Sequence, residues 1–280
     1  MTCHPCLRRL ALRFARGAFA SWLTAAAAAA LAHDTWFETK VQKRPGDIIM
    51  ALGTGNQFPD QEYPIGVQQV RGRGCRQGGS QVPLVAVGNT STALILRAKT
   101  ETWEPVSCWA QLIPFDIELP PDKIEIYLKE INAPRAVREA WAAMQSRGLP
   151  WKERYTKHAR IEFAGDAHAD PATLRAQPID MGMDVVLESG LQPIRAGDPV
   201  VFQVLRDGAP LADFAVELRS DHDRLGLWLK TDAQGRVRVQ APLPGRWVLR
   251  GTDLRVSKTW ADTWESRFVT LAFEVGAALR

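Results

Sequence analysis

The feature that most limits what this chain can fold into is the period-two pattern of its C-terminal third. Val200, Phe202 and Val204 alternate, as do Val216 and Leu218 with Glu217 and Arg219 between them. Val237 and Val239 follow, then Val269, Leu271, Phe273 and Val275 with Thr270, Ala272 and Glu274 on the opposite side. Residues two apart on a strand share a face, so each run predicts a strand with one buried face. Asp207-Gly208 and Thr231 to Gly235 have hairpin-turn chemistry. Roughly seven short strands over about 95 residues predict an immunoglobulin-like sandwich over 182–275.

The opposite end reads differently. Arg8, Arg9, Arg13 and Arg16 give a basic start, and a run of about 15 mainly apolar residues extends from Gly17 to Leu31. A spanning helix needs roughly 20 residues, so the run predicts a secretory signal rather than an anchor. Ala30 and Ala32 supply the small residues of a cleavage site, so residues 1–32 are expected to be removed and His33 to become the amino terminus. Export through either the general or the twin-arginine route would place the protein in the periplasm or outside the cell, with no stable membrane insertion after cleavage. Removing four arginines from 35 basic residues leaves 31 against 31 acidic ones. A near-neutral mature chain has no basic surplus with which to neutralise phosphates, so nucleic acid is not an expected partner. Cys3 and Cys6 leave with the signal, whereas Cys75 and Cys108 remain as an even pair in an oxidising compartment and predict one disulfide.

Between these ends, 33–119 reads as an N-terminal β-rich domain. Asp47 to Leu52 is a strand closed by the turn residues Gly53 to Asn56, and Ala93 to Arg97 and Cys108 to Ile113 are further strands. Pro120 opens a helical segment, 120–162. Ile124, Tyr127, Leu128 and Ile131 repeat at helical spacing, and Asn132 is the expected cap of a second helix with apolar Val137, Trp141 and Met144. A third helix is predicted over about Lys152 to Ile161, supported by a Glu153–Lys157 pair at i, i+4. Residues 163–181 read as a linker. The predicted fold class is mainly β: two β-sandwich domains, immunoglobulin-like or transthyretin-like, with a short helical segment between them. The run Thr231 to Leu249, with "TDAQGR" and then "PGRWVL", resembles the carboxypeptidase-regulatory or transthyretin-like sandwich.

No G-x-S-x-G elbow or H-E-x-x-H pair is present, so the chain is not expected to be an enzyme. The candidate chemistry is metal binding. An amino-terminal His33 offers an amine and an imidazole to one ion, and nitrogen donors favour Cu(II), then Ni(II). Asp34 and His158 are the residues expected to complete the site; His168 and His222, each near aspartates, are weaker candidates.

The order of "AHDTW" at the signal boundary, "GTGNQFP", "ERYTKHA" and the closing "RDGAPL", "TDAQGR" and "PGRWVL" resembles the exported NikM-like family of nickel- and cobalt-uptake-associated periplasmic proteins. The resemblance implies a periplasmic protein that binds a divalent transition metal (nickel, cobalt or copper) or assists its uptake, with a metal importer in the inner or outer membrane as partner. This chain has "DTWF" where the family continues with a more hydrophobic residue, and it carries the pair Cys75 and Cys108 in addition. Two other readings fit the residues: a noncatalytic scaffold or adhesion module using its sandwich faces, and a histidine-brace copper oxidase, which requires a second histidine beside His33.

Overall fold

A computed structural model describes residues 33–165, 170, 172–223 and 225–278, so the expected signal and His168 lie outside the described residues. Nine strands come first: β1 (Asp34–Gln42), β2 (Gly46–Gly55), β3 (Tyr63–Pro64), β4 (Val70–Gln77), β5 (Ser80–Val82), β6 (Val85–Asn89), β7 (Ala93–Thr100), β8 (Val106–Leu112) and β9 (Phe115–Leu119). Helices α1 (Pro121–Glu130) and α2 (Arg135–Ser146) follow, then the long strand β10 (Trp151–Phe163). The remainder comprises β11 (Met183–Leu187), β12 (Ile194–Arg195), β13 (Pro199–Arg206), β14 (Ala209–Pro210), β15 (Ala215–Ser220), β16 (Leu227–Lys230), β17 (Arg236–Gln240), β18 (Gly245–Val256) and β19 (Trp264–Gly276).

These strands form three sheets. One runs β1-β2-β7-β6 with β3 added to β2; a second, of four strands, runs β11-β13-β14 with β17 on β13. The third has ten strands and runs β16-β15-β18-β19-β10-β8-β4-β5, with β12 on β19 and β9 on β10. Its centre is a parallel pairing of β10 with β19, from Glu153 opposite Trp264 to Ile161 opposite Ala272. The chain is therefore mainly β and built of two sandwiches, but the sandwiches share this one sheet.

The two small sheets cover opposite faces of the large one. Phe37, Met50, Leu52, Leu94 and Leu96 pack on Cys108, Ala110, Ala159, Ile161 and Ala272 to form the first core. Val185, Phe202, Val204 and Val237 pack on Val216, Leu249, Val269, Leu271 and Phe273 to form the second. Ala272 and Leu271 are adjacent on β19, so the face changes with every residue along that strand. Burying these side chains on both faces removes apolar surface from water at about 25 cal/mol per Å².

The expected third helix over Lys152 to Ile161 is corrected to strand β10. From Lys157 to Phe163 every residue is buried: Ala159, Ile161 and Phe163 lie in the first core, while Arg160 on the opposite face bonds Asp184 and the Gln177 carbonyl. A strand buried on both faces loses its polar–apolar alternation, and the Glu153–Lys157 spacing then mimics a helix. Glu153 in fact bonds Tyr127 and Trp151, not Lys157.

The two real helices lie where the spacing predicts them, burying Ile124, Tyr127 and Leu128 from α1 and Val137, Trp141 and Met144 from α2. Asn132 does not cap α2. It takes a left-handed φ of 47° at the end of α1, and Pro134 occupies the cap position. The predicted hairpin turn is present, with Asp207 and Gly208 at φ 51° and 76°, as two-residue hairpins require. Cys75 and Cys108 face each other across β4 and β8 and are joined by the expected disulfide. No described helix is long and apolar enough to cross a membrane.

Candidate functional site

The site builds outward from the first strand. β1 pairs with β2 from Asp34 opposite Gly55 onward. Beyond Gly55 the chain turns at Asn56 and folds back over β1. That return needs room: a Cβ on Gly55 would stand 2.2 Å from the Asp60 carbonyl oxygen and 2.8 Å from the Trp36 ring. Gln61 then donates to the Trp36 carbonyl at 2.9 Å, and Asn56 Nδ2 donates to Glu62 at 2.9 Å. This arrangement brings Asn56, Glu62 and Tyr63 beside His33. The imidazole stacks on the Tyr63 ring at 5.1 Å between centroids with 26° between planes.

Beneath His33 lies the face of the large sheet that also carries Tyr155, Lys157, Phe268, Thr270 and Arg250. Lys157 is buried with its ammonium over the rings of Tyr155 and Phe268, at 5.6 and 5.7 Å. Among the described residues its amine has no hydrogen-bond acceptor. Burial pushes its pKa down to about 8, against the pull of Asp34. Burial and then the Lys157 charge push the His33 imidazole below its ordinary value, and Glu62, Asp34 and the Asn56 amide act in the opposite sense. The ring is thus favoured in its neutral form at neutral pH, with a lone pair on one nitrogen.

Asp34 is buried, and one of its carboxylate oxygens is engaged by Arg250. Arg250 reaches it with Nη1, binds Glu217 with Nε at 2.7 Å and donates to the Glu130 carbonyl at 2.6 Å. Burial opposes the Arg250 charge, but Asp34 and Glu217 more than offset this and raise its pKa. The other Asp34 oxygen, Oδ1, is buried without a hydrogen-bond partner.

His158 does not join His33. It is paired in register with Val269, which faces the second core, whereas Lys157 and Asp34 lie on the other face. A sheet stands between the two histidines, farther than two metal–nitrogen bonds of about 2 Å can bridge. His158 Nδ1 is 3.0 Å from the Phe268 carbonyl, its Nε2 is buried without a partner, and burial lowers its pKa to about 4. His222 sits in the β15–β16 loop beside Asp221. Among the described residues no group of three or more His, Cys, Asp and Glu is gathered in a metal-holding arrangement. The candidate site therefore reduces to His33 and the residues that orient it. Sequence reasoning missed Tyr63, Lys157 and Arg250. Their only local signal was the position of Asn56 to Tyr63 directly after a glycine-bearing strand end.

A sequence profile described as "Domain of unknown function (DUF4198)" matches residues 30–252. No curated protein matches. Among solved structures, the D0-D1 domain of Intimin aligns over 87% of this chain and 97% of its own length at 15% identity with a TM-score of 0.20, too low to carry an argument.

Proposed function

The chain belongs to the family described as a domain of unknown function (DUF4198). From the geometry around its first described residue we propose that it is an exported protein that binds a divalent transition-metal ion at His33. The observation that carries the reading is the state of this imidazole. It is stacked on Tyr63, faced by the Asn56 amide that Glu62 holds, and biased toward neutrality by burial and Lys157. Metal-binding histidines are commonly oriented in this way through their second nitrogen. Removal of residues 1–32 would set the α-amine beside that ring, so one residue supplies two nitrogen donors.

The donor set also favours a particular use. A structural ion is closed by four protein ligands, whereas a site with two from His33 leaves positions exchangeable. That fits capture and hand-over of nickel, cobalt or copper, with an importer in the inner or outer membrane as recipient. Asp34 serves this site by anchoring β1 through Arg250 rather than by binding the ion.

The test joins amino-terminal sequencing of the exported protein to titration with Cu(II), Ni(II) and Co(II). The expected result is a chain starting at His33 that binds one equivalent, with at least about tenfold weaker binding in His33→Ala. A different amino terminus, or equal binding by the variant, overturns the proposal and leaves a noncatalytic two-sandwich interaction module.

A further inference from the structure

A cavity of about 390 Å³ lies at the opposite end of β1 from His33, where the ends of β10, β11 and β19 converge with the turn after β1. Its floor is apolar. Phe163, Leu187, Leu191 and Phe273 are all buried, and Phe273 packs on Phe202 at 5.3 Å between ring centroids. The volume lies within the range of small-ligand sites, roughly 300–1,000 Å³.

The charged groups at the wall differ in what they already do. Glu162 lines the cavity, but its carboxylate is held by Arg160 at 2.6 Å and by the Ser107 hydroxyl. Arg44 is likewise occupied, donating to the Glu104 and Ala164 carbonyls. Glu274 lies exposed at the rim. Arg195 is different. It is half-buried, and its backbone is pinned by pairing with Gly276 and by the Asp198 carboxylate. Among the described residues its guanidinium has no hydrogen-bond or ion-pair partner. A half-buried arginine, held at its backbone and with its guanidinium uncommitted at the edge of an apolar floor, can take a carboxylate through paired charge-assisted hydrogen bonds.

We propose that this cavity is a binding site for a small amphiphilic carboxylate, the acyl or aromatic body lying on Phe163, Leu191 and Phe273 and the carboxylate meeting Arg195. The site is separate from His33 and does not depend on the metal-binding reading.

The test is calorimetric titration of chelator-treated, disulfide-intact protein with decanoate, and with decanol as the uncharged control. Saturable one-to-one binding of decanoate is expected, with decanol at least about tenfold weaker. Arg195→Met should weaken decanoate by a similar factor. Ala277→Trp, a bulky side chain at an exposed lining residue, should weaken binding at least about tenfold while leaving the thermal midpoint in place. His33→Ala should bind decanoate like the wild type. Absence of saturable binding up to millimolar decanoate, equal affinity for decanol, or an Arg195→Met variant that binds like the wild type would each overturn the proposal.

Discussion

Arg250 on β18 forms a buried ion pair with Asp34, the second residue of the proposed mature chain, across 216 positions of sequence. The same guanidinium holds Glu217 and the end of α1 and lies 5.6 Å from the centroid of the Trp228 ring. It thereby fixes the start of β1 against the large sheet, and with it the position of His33.

Breaking this pair should be costly. Asp34→Asn leaves Arg250 buried with one charge partner fewer, and removal of one member of a buried pair typically costs about 3–5 kcal/mol. Because Glu217 remains, a loss near the lower end, about 3 kcal/mol, is expected in urea denaturation. Metal affinity per folded molecule should change less than in His33→Ala. An equal loss would mean that Asp34 is itself a ligand.

Lys157 should destabilise the fold at neutral pH. Its folded pKa is about 8 against an ordinary 10.5, so the unfolded chain binds more protons between these values and stability rises with pH across that window. Below pH 8 the full cost is present, about 3 kcal/mol at about 1.4 kcal/mol per unit. Lys157→Met is expected to raise the urea midpoint at pH 7 and to flatten the profile between pH 8 and 10.5. It should also raise the His33 pKa in an NMR titration, by removing the neighbouring cation.

His158 should behave as a core residue. Its pKa is about 4 when folded and 6.5 ordinarily, so stability is expected to fall as pH drops from 6.5 through 4. The full effect is about 3 kcal/mol. His158→Phe should remove that dependence and leave Ni(II) and Cu(II) titrations unchanged. Weakened metal binding in the folded variant would return His158 to the ligand set.

The disulfide between Cys75 and Cys108 closes a loop with a sequence separation of 33. Cys75→Ala with Cys108→Ala should cost about 3–4 kcal/mol in the chain-entropy account. Guanidinium denaturation of the double variant checks this, and a change below about 1 kcal/mol would show that the pairing adds little to the first core.

Much of the architecture was legible locally. The alternation of Val200, Phe202 and Val204, the Asp207-Gly208 turn and the helical spacing of Ile124, Tyr127 and Leu128 are each written within a few residues, because backbone geometry ties side-chain direction to a short period. The mainly β class, the two sandwiches, the two helices and the cysteine pair follow from such signals. Tertiary structure alone decided that β10 is a strand, that the sandwiches share one sheet, and that a sheet separates His158 from His33. Burial on both faces erases period-two alternation, and contacts such as Arg250 with Asp34 join segments whose separation leaves no local mark. The sequence by itself thus determined which segments could bury a face; packing decided which face each residue meets, and so which residues surround His33.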